Sequence, residues 1–232
     1  MKDKLVGIGK KINGRGCFVR DDYILRHCKS KRVLHVGCTD YPFFETALSE
    51  GHLLHEKITQ VADKVIGIDV ASADVSKMAA HGYDVKLADA QKITNYDWDE
   101  PFDIILLADV IEHIPNTGLV IEGASKLLSK TGKIVITVPN AFGIVRFLKS
   151  FFRYEQVHQD HVAYYSSGVL ETIAERLSLV MQETAWYRFE VRDKRIIVYL
   201  SAAIERLFTV FFPWYAEGCM AVMTVQPSEN NV

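Results

Sequence analysis

The sequence predicts an α/β fold, a doubly wound, mostly parallel seven-stranded sheet with a helical lid after the fifth strand. Three observations predict it. Short apolar runs, turn signals and helical stretches alternate along the chain, as βαβ units require. Several runs are continuous and β-branched, as in Ile134-Val135-Ile136-Thr137-Val138, which suits strands covered by helices on both faces. Glycine or acidic residues also stand just where these runs end. At 232 residues the chain is long enough for one sizeable core and short for two, so 1–232 reads as a single domain.

Segment 1–30 is basic: residues 1–32 carry ten Lys and Arg against Asp3, Asp21 and Asp22. It reads either as a solvated terminal face or as a surface for a phosphorylated acceptor or an anionic membrane. Strand one, Arg32–Val36, runs into Gly37-Cys38-Thr39. Gly37 removes a side chain where the backbone turns and a ligand approaches. Thr39 and Pro42 stand where a dinucleotide loop needs further glycines, which disfavours a pyrophosphate cofactor and an oxidoreductase. Tyr41–Gln60 then lengthens the first crossover.

Strand two, Lys64–Ile68, ends at Asp69, and strand three, Tyr83–Leu87, leads to Asp89-Ala90. A carboxylate at a strand end accepts hydrogen bonds from ribose hydroxyls or an adenine amino group, or it caps the next helix; both readings stand. Strand four, Phe102–Ala108, leads into Asp109-Val110-Ile111-Glu112-His113-Ile114-Pro115-Asn116, and strand five, Lys133–Val138, into Pro139-Asn140. Gly82, Pro101 and Gly132 punctuate the entrances.

Beyond Pro139 the pattern changes. Ala141–Arg153 is amphipathic, with Ile144, Val145, Leu148, Phe151 and Phe152 against Arg146, Lys149 and Arg153. A polar loop, Glu155–His161, precedes a helix from about Ser167 to Leu177 with Ser167 as N-cap. Thr184–Val191 is a sixth strand, 195–212 an apolar helix and Cys219–Val225 the last strand, followed by a frayed tail. Segments 141–165 and 195–212 form an acceptor-side lid; their basic amphipathic character also suits weak peripheral contact with an anionic membrane.

Bulk numbers exclude several classes. Net charge is −2, so the molecule is no polycation and nucleic acid is disfavoured as a partner. Cys17, Cys28, Cys38 and Cys219 are scattered without a Cys-x-x-Cys pair, which suggests neither a zinc knuckle nor a disulfide framework. The first residues lead into no long apolar run, and Glu205 and Arg206 interrupt Ile196–Phe212, so neither a secretory signal nor a transmembrane segment is expected. A cytoplasmic setting is the expectation.

Taken in order, the strand-end motifs resemble class I S-adenosylmethionine (SAM)-dependent methyltransferases. The similar group contains the ubiquinone-biosynthesis O-methyltransferases and many sugar and glycan methyltransferases. The resemblance covers roughly residues 30–180 and is most specific at 109–116, at Val138-Pro139-Asn140, and at His158-Gln159-Asp160-His161-Val162-Ala163-Tyr164-Tyr165-Ser166. It implies a Rossmann-like methyltransferase fold and SAM as cofactor. Gly37 and Cys38 would surround the methionine moiety, Asp69 the ribose, and Asp89 and Ala90 the adenine. Ala108 and Asp109 would stand beside the methionine end, with His35, Thr39 and Val70 completing the set. The family usually has an acid where His35 stands and a second glycine where Thr39 stands.

A hydroxyl acceptor must also lose a proton, so a nearby histidine or carboxylate is expected. Asp109, Glu112 and His113 cluster if a helical turn begins there. His113 or His161 is then a general base. Alternatively Glu112, His113 and a later histidine, His158, bind a divalent metal ion. In a third reading Glu112 and His113 only brace their loop. His27, His52, His55 and His81 read as surface or packing residues. The lengthened crossover resembles that of methyltransferases in polysaccharide synthesis and directs the expected acceptor to a sugar or glycan-linked hydroxyl. A quinone or small aromatic acceptor is the alternative, and a non-catalytic SAM-binding module the third possibility.

Overall fold

The computed structural model describes residues 12–190 and 196–226. Its elements are β1 (Cys17–Val19), α1 (Arg20–Cys28), β2 (Arg32–Val36), α2 (Phe44–Ser49), α3 (Leu54–Thr59), β3 (Lys64–Asp69), α4 (Ser72–Ala80) and β4 (Val85–Leu87). There follow β5 (Phe102–Ala108), α5 (Thr117–Lys126), β6 (Leu128–Pro139), α6 (Ile144–Ser150), α7 (Ser167–Arg176), β7 (Leu179–Arg188), α8 (Ile196–Phe211) and β8 (Gly218–Val225). Short 3-10 turns cover Ala90–Asn95, Ile111–His113 and Pro213–Tyr215.

All the strands form one sheet in the order β1-β7-β8-β6-β5-β2-β3-β4. Strand β8 runs antiparallel to β6 and β7, and every other pair is parallel. The sheet has eight strands where seven were expected. The added strand is β1, three residues inside the basic N-terminal segment, with Cys17 beside Trp186 of β7. Three residues are too few for any periodicity to show, so only the pairing partner reveals it. Lys2, Lys4, Lys10, Lys11, Arg195 and the 227–232 tail lie outside the described residues.

Strand residues alternate between two apolar layers. Leu34, Val36, Ile66, Ile68, Ile105, Leu107, Ile134 and Ile136 pack on one face with Val120, Ile121, Ala124, Leu170 and Ala174. Val33, Val65, Ile104, Leu106 and Val135 pack on the other with Ile24, Cys28 and Ile58. Both faces are therefore dry, as continuous apolar strands predict.

Several boundaries differ from expectation: β4 begins at Val85 rather than Tyr83, and β6 at Leu128 rather than Lys133. β7 begins at Leu179 rather than Thr184, because β8 pairs along its whole length. Ser166, not Ser167, caps α7, its hydroxyl accepting from the Val169 amide. The 141–153 segment is helical only over Ile144–Ser150, and α6 buries none of its residues. The long first crossover holds α2 and α3.

Successive strands run outward from β2 to β3 and β4 on one side and from β5 to β6 on the other. Such a reversal opens a crevice beyond the carboxyl ends of β2 and β5.

Candidate functional site

The crevice has a volume of about 650 Å³ and is walled by the loops after β2, β3, β4 and β5, by α1, and by 158–161. A larger opening of about 960 Å³ lies between residues 12–15, α7 and β7, but none of those strand-end loops reaches it. The crevice is therefore the candidate site.

Gly37, at φ 71°, turns the chain after β2. A Cβ there would come within 2.5 Å of Val110 Cγ2, so the glycine also lets the β2 and β5 loops close on each other. His35, Cys38, Asp69, Val70, Asp89, Ala90, Ala108 and Asp109 line the crevice as expected. Thr39 does not. It is fully buried, and its amide and hydroxyl donate to Asp69 Oδ2 at 3.1 and 2.8 Å. Asp69 Oδ1 accepts from the Ala71 amide at 3.0 Å. Asp89 Oδ1 accepts from the Gln91 amide at 2.9 Å and caps the following turn. Both carboxylates thus cap or brace their own loops while still bordering the crevice.

Arg20 Nη2 meets Asp109 Oδ2 at 2.7 Å, and the Tyr187 hydroxyl donates to Asp109 Oδ1 at 2.7 Å. Burial works against the Arg20 charge, but Asp109, Tyr187 and Asp21 outweigh it and hold the guanidinium protonated. Its Nε is buried without a partner among the described residues. Sequence reasoning missed Arg20, which stood out only as one cation in a basic run.

The position the family gives to an acid is filled by a buried imidazole pair. His35 Nδ1 and His55 Nδ1 lie 3.2 Å apart with the rings stacked. Both Nε2 atoms are buried without a partner among the described residues. Burial, then His55 and Arg20, holds His35 well below the ordinary histidine range, and burial pushes His55 down to about 4. His55 comes from α3, in the lengthened crossover, and is no packing residue without a constellation. Gly67 makes room for it, since a Cβ there would lie 2.8 Å from His55 Cε1.

On the acceptor side, one ring nitrogen from each of His113, His158 and His161 lies within 4.8 Å of the other two. All three line the crevice. The His113 and His161 rings meet edge to face with centroids 4.6 Å apart. Burial first, then His113 and His158, pushes His161 down to about 4. The two loops are tied together: the Val162 amide donates to the Glu112 carbonyl at 2.8 Å, and the Thr117 and Tyr165 hydroxyls bond at 2.6 Å.

Glu112 does not join this cluster, contrary to the expected metal set. Its side chain is buried away from the crevice, and both carboxylate oxygens are unpartnered among the described residues. Burial, then Asp109, raises it to about 8. The 109–113 segment is not an α-helix: Asp109 sits at φ 53° and the 3-10 turn spans only Ile111–His113, so the expected helical spacing fails.

Residues 19–184 match a family described as a methyltransferase domain. The chain is 26% identical over 140 residues to the ubiquinone biosynthesis O-methyltransferase of Azorhizobium caulinodans, covering 58% of this chain and 48% of that protein. It is 30% identical over 129 residues to the same-named protein of Nitrosococcus oceani, covering 53% and 50%. The match thus spans about half the length of these curated relatives. Among solved structures, the N-methyltransferase NodS from Bradyrhizobium japonicum in complex with S-adenosyl-L-homocysteine superposes with a TM-score of 0.52. Its identity is 16%, over 90% of this chain and 86% of that one.

Proposed function

We infer that this chain, which belongs to the SAM-dependent methyltransferase family, transfers a methyl group from SAM to a hydroxyl oxygen of a small ring-containing acceptor. The observation that carries this reading is one crevice lined together by the strand-end carboxylates, Arg20, His113 and His161. The residues present fit the cofactor. The partnerless buried Nε of Arg20 suits a carboxylate at the amino-acid end. Gly37 leaves the close approach, Asp69 and Asp89 offer acceptors for ribose and adenine, and Ala88 and Ala90 give an apolar adenine wall.

SAM supplies a methyl carbon on a sulfonium that is already an activated leaving group. The protein's share is alignment, exclusion of water and removal of the acceptor's proton. A general base works best with a pKa near the working pH. His161, pushed down to about 4, is a poor proton acceptor, which leaves His113 as the candidate base and His161 as its edge-to-face support.

The named relatives are O-methyltransferases of ubiquinone biosynthesis, which supports oxygen as the acceptor atom and a quinone-type or aromatic ring over a glycan. The test is calorimetric titration with SAM, followed by turnover on catechol-type, quinol and sugar hydroxyls. SAM binding without turnover on any hydroxyl would favour the non-catalytic module.

A second reading rests on the three clustered imidazoles. His158 stands in the same loop, its Nδ1 accepting from the Asp160 amide at 3.4 Å. Three nitrogen donors suit a zinc-like ion better than magnesium. In this reading His113, His158 and His161 hold an ion that polarises the acceptor oxygen.

A further inference from the structure

Helix α8 is seated inside out. Glu205 and Thr209, on the face turned to the protein, are only 6% and 3% exposed. Glu205 Oε1 accepts from the Glu217 amide at 2.6 Å, and the Thr209 hydroxyl donates to the Glu205 carbonyl at 2.7 Å. The opposite face carries Tyr199, Leu200, Ile204, Leu207, Val210 and Phe211, between 50% and 73% exposed. The polar stripe fixes the roll of the helix, so this apolar face cannot turn inward without stranding Glu205.

The neighbouring α6 segment extends the same character. Phe147, Phe151 and Phe152 are 57%, 70% and 85% exposed, and α6 packs beside α8. Contiguous apolar surface of this kind marks a docking face.

Charge selects the occupant. Among the described residues, Lys149, Arg153 and Arg206 have no carboxylate within ion-pair distance. Residues 141–165 and 196–212 carry the acids Glu155, Asp160, which stands beside His158, and the inward-turned Glu205, against Arg146, Lys149, Arg153 and Arg206. A second copy docked face to face would bring like-charged rims together, which works against self-association. An anionic lipid surface complements both features: aromatic and aliphatic side chains enter the headgroup boundary while the cations meet phosphates. No helix among the described residues is long and apolar enough to cross a membrane.

We propose that the α6–α8 face docks on an anionic lipid membrane. This goes beyond the methyl-transfer reading and does not depend on it, but the two meet structurally. Arg146 of α6 donates to the Glu217 carbonyl at 2.9 Å and stands 5.8 Å from the Tyr164 ring, which in turn lies 6.2 Å from His161. Docking would bring the crevice mouth to the lipid surface, where an amphiphilic acceptor resides.

The test is flotation of the full chain with phosphatidylcholine vesicles with and without phosphatidylglycerol, at low and high salt. The chain should float with the anionic vesicles at low salt and release at high salt. Leu207→Asp with Phe211→Asp should lower binding at least about tenfold, with an unchanged circular-dichroism spectrum. Arg153→Gln with Arg206→Gln, both at exposed positions, should weaken the preference for anionic vesicles by a similar factor. Three results would overturn the proposal. The chain stays with the bulk at low salt, or the apolar-face variant binds as well as the parent. In the third, the parent is a dimer that this variant makes monomeric, with no vesicle binding by either.

Discussion

One oxygen of the Asp69 carboxylate accepts from both the amide and the hydroxyl of Thr39, tying the loop after β3 to the loop after β2 at the floor of the crevice. The bond orients a carboxylate that also borders the cofactor space. Replacing Asp69 by Ala removes a charge-assisted acceptor worth about 1.5–3 kcal/mol. SAM affinity should fall roughly ten- to a hundredfold. Thr39→Val, which only loosens the carboxylate, should cost several-fold. Calorimetric titration separates the two, and undiminished affinity in a folded Asp69→Ala protein would reject the ribose role.

Arg20 and Asp109 form a partly buried pair, so Arg20→Met has two expected effects. SAM affinity should drop about tenfold or more with the loss of the cofactor's counter-charge. Melting temperature should fall as well, because Asp109 keeps a charge without its partner at a cost of about 1–3 kcal/mol after allowing for solvent. A lowered melting temperature with intact SAM affinity would confine Arg20 to structure.

His113→Ala should lower kcat by about a hundredfold or more and change SAM affinity little, the signature of a proton acceptor used in the transition state. His161→Ala should have a smaller effect. A chelator divides the two acceptor-side readings. Loss of activity that returns with added divalent ion supports the three-histidine metal site, and full activity in chelator retires it.

The His35–His55 pair makes the fold acid-sensitive. Unfolded histidines take up protons near pH 6.5, whereas the buried His55 does so only near 4. The contribution is therefore fully present above about pH 6.5 and is lost as pH falls towards 4. His55→Leu should flatten this acid limb of the urea midpoint. An unchanged slope between pH 7 and pH 5 would place the sensitivity elsewhere.

Glu205 acts in the opposite direction. Burial, then Glu217, raises its carboxyl to about 7. The unfolded group ionises near pH 4.5, so stability present below that value is lost as pH rises through 7. Glu205→Gln retains an acceptor for the Glu217 amide and removes the ionisation. Above pH 8 it should stabilise the fold by up to about 3 kcal/mol, with little change at pH 4. Equal urea midpoints for parent and variant at pH 8 would refute this.

The succession of strands β2 to β8 along the chain and the positions of the strand-end residues were legible in the sequence because they depend on local information, whereas β1 and the order of strands in the sheet were not. Continuous β-branched runs such as 134–138 mark dry strands, and a glycine or acid at a strand's end is set by the turn that follows. These signals mark Gly37, Asp69, Asp89, Asp109 and His113 as strand-end residues, and all five line the one crevice. What only the tertiary structure decided is which side chains meet across the chain. Thr39, read as a departure near the cofactor, instead braces Asp69. Glu112 turns into the interior and His158 and His161 take the places around His113, because the left-handed Asp109 ends the regular backbone that spacing assumed. His55 reaches His35 through an inserted helix, and α8 turns its polar stripe inward because the Glu217 amide stands beneath it. Periodicity reports that a helix has two faces; which of them is buried depends on partners supplied by remote strands.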